Sequence, residues 1–405
     1  MFNILLLFFY IFSFSFYNGG FFDSALLVLI FLSIHIIINQ SYRKMVQRYI
    51  STKYFVNIFL LYIVLNIWFL IILFINDSVD FTFLKTFANM FQTWVTGGLL
   101  FQYYCIQNKE KEIVNQLMII FAVQTLIQWL AFSVPSIKTL INYTKSYSTI
   151  LKGMSYSGIR ANALSGSSFF GLSAAYAIIL ILFVSNKNQL FVKKPTLKFG
   201  LFLFILTGGF FAGRTTFIGL FIAIIVFLCV KKFKPTKEHI LSASVGIPSL
   251  FVMLFILNSY FGKLESIINL KNFAFQFFYK YNSQGTIVIS SVESLSEMYF
   301  IPELSTWLVG DGKYSVATGY YMSTDVGYLR VILFGGVLSL LVLFTMQFLL
   351  MQVNKGKEKF IKISCLIALL MLNLKGEVIF WSQNVLAIIT IFCLQDLFTL
   401  DRKSR

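Results

Sequence analysis

Apolar residues in this chain come in runs of about 15–25, separated by short polar or basic stretches. That spacing predicts membrane-crossing helices rather than the one-sided helices of a soluble protein. The runs lie at 1–17, 21–38, 55–75, 83–105, 117–134, 167–185, 199–212, 215–230, 239–257, 326–352, 360–376 and 385–400. They predict an all-α integral membrane protein, a single polytopic domain of about twelve transmembrane helices over residues 1–405. The first run, MFNILLLFFYIFSFSFY, lacks a basic n-region and a small-residue cleavage site, so it reads as a retained first span.

Composition narrows the class further. With 58% hydrophobic and 12% charged residues, disorder, a fibrous repeat and a secreted disulfide scaffold are excluded. Cys105, Cys229, Cys365 and Cys393 each lie in or at the end of an apolar run and form no CxxC, which reads as small apolar packing. His35 and His239 stand in no metal-ligand spacing. On a soluble chain, a net charge of +17 would raise nucleic acid as a partner. Here the basic residues fall in short loops between apolar runs, so the charge reflects the positive-inside bias and anionic lipid, with no nucleic acid implied.

The basic loops also orient the chain. They carry Arg43, Lys44, Arg48 and Lys53, then Lys109 and Lys111, then Lys187, Lys193, Lys194 and Lys198. Lys231, Lys232, Lys234 and Lys237 follow, then Lys355, Lys357 and Lys359, and the tail holds Arg402, Lys403 and Arg405. These loops alternate with basic-poor ones such as 18–24 and 76–82. Placing every basic loop in the cytoplasm gives one consistent topology, with both termini inside and external loops at 135–166 and 258–325, the latter between helices 9 and 10. Segment 199–230, flanked by lysine clusters, must then cross an even number of times. The expected turn uses Gly208, Gly209 and Gly213, with Arg214 at the tip. Arms of about 15 residues span roughly 22 Å, short of the ~30 Å hydrocarbon core. Arg214 is therefore expected below the outer surface, at a cost of about 2.5–3.5 kcal/mol unless water or an anion meets it.

Loop 135–166 carries Lys138, Lys145, Lys152 and Arg160 and no acid. Loop 258–325 carries Glu297, Glu303 and Asp311 and ends on Asp325. Its stretch SIINLKNFAFQFFYKY has helical apolar spacing, suited either to the membrane interface or to packing on the membrane domain. No Walker loop, dinucleotide fingerprint, GxSxG, HExxH or EF-hand pattern occurs. The spans carry too few charges for an obvious ion relay. The outer face instead offers Arg160, Arg214 and Arg330 with Glu297, Asp311 and Asp325. Arginine grips phosphate oxygens with a planar fork, and a carboxylate is the natural base where no histidine lies. Tyr299, Trp307, Tyr314, Tyr320, Tyr321 and Tyr328 suit sugar faces or an interfacial belt. The set suits a lipid-linked, diphosphate-activated sugar. Asp325 reads equally as the N-cap of the helix that follows it, and Asp311, in GDG, as a turn residue.

Three stretches, YSGIRANALSGSSFFGLS (156–173), GGFFAGRTTFIGL (208–220) and STDVGYLRVILFGGVLSLL (323–341), resemble the signatures of bacterial O-antigen and capsular polysaccharide polymerases of the Wzy type, in the O-antigen polymerase/ligase superfamily. The first resembles an external-loop arginine leading by small residues into a span. The second resembles a small-residue-Arg-Thr element at a helix end. The third resembles a polar, Gly-Tyr-Leu, then Gly-Gly entry into a span. The ligases tend to carry histidine near the third motif, where this chain has Asp325, so the resemblance is to polymerases first.

The resemblance implies a GT-C-like helical glycosyltransferase in the bacterial cytoplasmic (inner) membrane. It would join undecaprenyl-diphosphate-linked repeat units at the outer leaflet into O-antigen, capsule or exopolysaccharide. Its partners would be the undecaprenyl-diphosphate-linked donor and acceptor glycans and the bilayer, with a chain-length regulator and a flippase alongside. In that reading Arg160 and Arg214 bind the donor diphosphate and Asp325 is the catalytic base. Arg330, Tyr328, Asp311 and Glu297 are additional candidates. Transfer inverts the anomeric centre and is metal-independent, because the arginines neutralise the leaving group; no cofactor is implied. The other readings are an O-antigen ligase of the same superfamily and a lipid-linked oligosaccharide flippase or transporter.

Overall fold

The computed structural model describes residues 1–20, 22–156, 159–160, 162–185, 195–230, 295–316, 319–353 and 358–401. In chain order these form α1 (Phe2–Phe12), α2 (Ser24–Ile38), α3 (Gln40–Ile50), α4 (Lys53–Ile75), α5 (Thr82–Ile106), α6 (Ile113–Ser133), α7 (Pro135–Asn142) and α8 (Tyr147–Met154). Then come α9 (Phe170–Ser185), α10 (Pro195–Ala212), α11 (Thr216–Val230) and α12 (Leu304–Leu308). A two-stranded antiparallel ribbon, β1 (Ser315–Val316) and β2 (Gly319–Tyr320), and a 3₁₀ turn (Tyr321–Ser323) precede α13 (Gly327–Met351), α14 (Lys359–Asn373) and α15 (Gln383–Asp401). The predicted apolar runs on described residues lie largely on helices. Run 239–257 and the stretch at 266–281 lie outside them.

Apart from that short ribbon, the regular structure of the described residues is helical. Among the described residues α4, α6 and α13 are each long and apolar enough to cross a membrane, and the bent pair α2–α3 passes the same test as one broken span. α1, α9, α10, α11 and α15 are shorter apolar helices.

The first run is not one full span. α1 stops at Phe12, where Ser13 turns left-handed (φ 39°) and donates its N–H to Phe9 O. Its 11 residues reach about 16 Å, roughly half the hydrocarbon thickness. The second run ends with α2 at Ile38, as expected, and the basic stretch that follows is a helix rather than a loop. α3 leaves α2 at 112°, because Asn39 ends one helix and caps the next by accepting the Tyr42 N–H at 3.0 Å. Arg43 then folds back onto the last carbonyls of α2, at Ile36 and Ile37.

Two features of the interior position everything else. α9 is buried all round, as Leu172 and Ala174 to Leu182 show, and packs on α10, α11, α14 and α15. Close approach is allowed by glycine. A Cβ on Gly219 would strike the Ala177 backbone, and one on Gly208 would strike Thr125. Gly208 and Gly209 therefore sit inside α10 as contact residues. The turn between α10 and α11 is Gly213–Thr215 alone, with Arg214 in it.

The second feature is a break in α13 at Gly335 and Gly336, the latter at φ 70°, ψ −178°, a region essentially reserved for glycine. Three carbonyls at the break are taken up by neighbours. Leu333 O accepts the Asp311 N–H (2.7 Å) and Phe334 O the Gly312 N–H (3.1 Å). Gly335 O accepts from Trp68 Nε1 (2.9 Å) and Ser339 Oγ (2.6 Å). Non-helical backbone at membrane depth survives only when satisfied in this way. Beneath the break, Phe83 stacks on Phe334 (4.2 Å) and packs against Trp381 (4.3 Å), Phe69 (4.7 Å) and Tyr314 (5.0 Å).

A Cβ on Gly336 would also meet the Leu308 backbone, whereas one on Gly200 in α10 meets nothing within 4 Å. Gly336→Ala is expected to cost about 1–3 kcal/mol, and Gly200→Ala to gain roughly 0.5–1 kcal/mol. Thermal unfolding of the two purified variants in detergent checks this; equal shifts in the two would contradict the break.

Candidate functional site

The loops at one end of the bundle interlock. Asn18 N–H donates to Tyr143 O (2.7 Å) and Gly166 N–H to Phe12 O (2.9 Å). Gln383 Nε2 donates to Ser13 Oγ (2.7 Å), Ser78 Oγ to Gly312 O (2.6 Å) and Thr324 Oγ1 to Met298 O (3.0 Å). The described residues of 13–23, 76–81, 134–169, 213–215, 298–326 and 374–382 thus share that end. Arg160, Arg214, Asp311 and Asp325 belong to these segments, Arg330 stands one turn into α13, and Glu297 comes just before Met298.

Arg214 is fixed from below. Ser173 Oγ, at the start of α9, donates to Gly213 O (2.8 Å) and meets the hydroxyls of Thr215 (2.6 Å) and Thr216 (2.9 Å). Thr216 Oγ1 reaches back to Gly209 O (2.9 Å). The two threonines after Arg214 therefore lock the turn, and the guanidinium emerges half-buried. Arg160 lies 4.1 Å above the Tyr156 ring, a cation–π contact. Burial lowers the proton affinity of Arg160, Tyr156 opposes this, and the nearby charge of Arg214 adds to the lowering. Arg214 is likewise lowered by burial and supported by Tyr156. Both stay charged, as guanidinium does in proteins.

A third cation joins them. Lys375 follows the end of α14, and burial, then Arg160 and Arg214, hold it below the ordinary lysine value. The opposing influence on Lys375 is Asp325. Its loop is tightly held. Asn373 Oδ1 accepts the Val378 N–H (2.9 Å), Gln347 Oε1 the Phe380 N–H (2.8 Å), and Gly376 packs against Phe170 and Gly327.

Asp325 does not cap α13. Val326 takes the cap position, and Thr324 Oγ1 accepts the Val326 N–H at 3.2 Å. The Asp325 carboxylate is left half-exposed, and its field reaches Lys375, Arg330 and Glu377. Arg330 is buried in a box. Its Nη1 lies 2.7 Å from Glu377 Oε2, and its guanidinium is 4.1 Å from the Tyr314 ring centroid and 3.5 Å from that of Tyr320. Tyr314 OH donates to the same Glu377 oxygen (2.6 Å) and accepts from Trp381 Nε1 (3.2 Å). Asp80 holds the Tyr314 backbone, accepting the N–H groups of Tyr314 and Ser315 at 2.7 Å each. Those donors hold the Asp80 carboxyl below its usual range against the opposing effect of burial.

The remaining candidates do not join this cluster. Tyr328 OH donates to Leu370 O (2.8 Å) and its ring stacks on Phe344, a packing role. Glu297 is exposed on a short helical turn. Asp311 accepts from Thr306 Oγ1 (2.7 Å) and faces a separate cavity. Conversely, Tyr156, Lys375 and Glu377 are part of the site though the sequence pattern does not single them out. Lys375 and Glu377 close an apolar run and read as a span boundary. Their signal is an opposite-charge pair, LKGE, between two apolar runs of a chain with few charges.

Arg160, Arg214 and Lys375, from three loops, form a cationic cluster in which their charges act on one another, with Asp325 in the field of Lys375. Such a cluster suits a multiply charged anion. No family model, curated protein or solved structure matches this chain.

Raising the pH removes the Lys375 charge earlier than that of an exposed lysine. Stabilisation of the purified protein by inorganic pyrophosphate is therefore expected to decline relative to Lys375→Arg as pH rises from about 7 to 10. The Arg variant carries the probe's own titration, and its stabilisation should persist. Parallel pH curves for the two proteins would remove Lys375 from the cluster.

Proposed function

We propose that this protein is a membrane glycosyltransferase that polymerises undecaprenyl-diphosphate-linked oligosaccharide repeat units at the outer leaflet. The reading rests on the convergence of Arg160, Arg214 and Lys375, with Asp325 in the field of Lys375, at the end of the bundle opposite Gln107 and Lys111. It places about twelve spans across the membrane, with both termini cytoplasmic and the cationic cluster outside.

The cluster holds the donor diphosphate, and the arginine forks stabilise the charge that develops as it leaves. An acceptor sugar hydroxyl attacks the donor's anomeric carbon from the face opposite the diphosphate. The carbon–oxygen bond to the diphosphate breaks, and its electron pair departs with undecaprenyl diphosphate. The hydroxyl proton passes to the Asp325 carboxylate. The arginines and the lysine neutralise the leaving group, so the step needs no metal. Attack opposite the leaving group inverts the anomeric centre.

Arg160→Lys and Arg214→Lys keep the charge and lose the fork, and are expected to slow polymerisation about 10²–10³-fold at normal protein level. Asp325→Asn removes the base and is expected to cost about 10²–10⁴-fold. Because Asp325 does not cap α13, this substitution should leave the protein level unchanged. Glycan ladders on a gel, from strains carrying each variant, are the readout. Normal chain length in both lysine variants would overturn the diphosphate clamp. Normal chain length in Asp325→Asn would move the base elsewhere.

A further inference from the structure

At the same end of the bundle lies a cavity of about 410 Å³ that the reaction scheme above does not use. Phe300, Glu303, Thr306, Asp311, Lys313 and Tyr321 are among the residues around it. Its floor is the broken helix. Asp311 and Gly312 are pinned to Leu333 and Phe334 by the carbonyls freed at Gly335 and Gly336, so the cavity shape is fixed by the same break that shapes α13. One face is aromatic, with Lys313 Nζ 5.8 Å above the Tyr321 ring. The charges are of both signs, two carboxylates and one ammonium, which suits neither a bare cation nor a phosphate. Carboxylate acceptors, an ammonium donor and aromatic faces instead match a neutral polyhydroxylated ring, whose hydroxyls both donate and accept and whose C–H face lies on an aromatic. The volume falls within the usual range of small-molecule sites, about 300–1,000 Å³.

Position gives the cavity a role. Tyr320 stacks on Arg330, the next two residues, Tyr321 and Met322, line the cavity, and Asp325 is three residues further on. Three residues of chain reach at most about 11 Å. Met322 and Ser323 between them are both left-handed (φ 54° and 51°), a conformation that costs non-glycine residues and persists where the surroundings impose it. From this geometry we infer that the cavity is a sugar subsite for the acceptor glycan, holding one ring so that a hydroxyl beyond it meets Asp325. The inference rests on the glycosyltransferase reading for the word acceptor, and on the cavity alone for the sugar.

The test is saturation-transfer NMR on the purified full-length protein in detergent. The probes are free glucose, galactose, mannose, rhamnose, N-acetylglucosamine and N-acetylgalactosamine, with calcium chloride and inorganic phosphate as competitors. At least one sugar should bind. Asp311→Asn, which keeps the side-chain shape, should weaken it about tenfold or more, the loss of one charged hydrogen bond. Lys313→Ala, at an exposed position, should also weaken it and serves if Asp311→Asn does not fold. Arg214→Lys should leave sugar binding intact. The subsite is overturned if none of these sugars binds, if binding is indifferent to both cavity variants, or if calcium or phosphate displaces the sugar by occupying the cavity. If sugars bind there while Arg214→Lys cells make normal glycan ladders, the subsite stands and the diphosphate reading falls. If Arg214→Lys cripples polymerisation and no sugar binds, the reverse holds.

Discussion

Arg330 carries a guanidinium only 7% exposed, and a charge so buried requires a counter-charge held in place. Glu377 supplies it at 2.7 Å. Much of the site's geometry follows from that requirement. The pair ties the first half of α13 to the loop after α14, and so brings Lys375 to Arg160 and Arg214. It also draws in Tyr314, whose hydroxyl shares the same carboxylate oxygen, and through the Tyr314 backbone it reaches Asp80. Removing one member of such a pair typically costs about 3–5 kcal/mol, since the other is left buried and alone. Its value here is positional: replacing both by apolar residues would be tolerated for stability, and would free the loop that carries Lys375.

Around this anchor the structure accepts unfavourable arrangements and supports each of them. Three cations are gathered where burial lowers the proton affinity of each, and the charge of Arg214 adds to the lowering at Arg160 and, with that of Arg160, at Lys375. A helix is broken at Gly335–Gly336 in a predominantly apolar span, with its carbonyls handed to a loop, a tryptophan and a serine. Two consecutive non-glycine residues adopt left-handed backbone just before Asp325. The opposite end has costs of its own, a buried Lys362–Asp396 pair at 2.6 Å and left-handed Asn108 and Gln352. What distinguishes the site end is that cations from three separate loops act on one another there.

The helices were legible because apolar runs need no long-range information to be helical in lipid. So was the α10–α11 turn, since Arg214 interrupts apolar sequence between lysine clusters. The length of an apolar run does not register local capping chemistry, which is why α1 ends at Ser13, short of its expected span, and why the basic stretch after α2 is the helix α3 rather than a loop. The role of Gly208 and Gly209 as contacts with Thr125, Tyr176 and Thr216 depends on how neighbouring helices pack, and the pairing of Arg330 with Glu377 joins residues far apart in sequence. A carboxylate just before a helix looks like a cap until the backbone shows that Val326 occupies that position. Lys375 hid at the end of an apolar run, where a lysine ordinarily snorkels.

The central claim is that the cationic cluster serves chain growth on a lipid diphosphate at the outer leaflet. Its most direct test is the fate of lipid-linked glycan in a host strain from which this protein has been deleted, sorted by length and by leaflet. Single repeat units, linked to the carrier and exposed on the outer leaflet, are expected. Repeat units retained on the inner leaflet would instead indicate a flippase, and full-length polymer left on the carrier would indicate a ligase; either result would contradict the central claim.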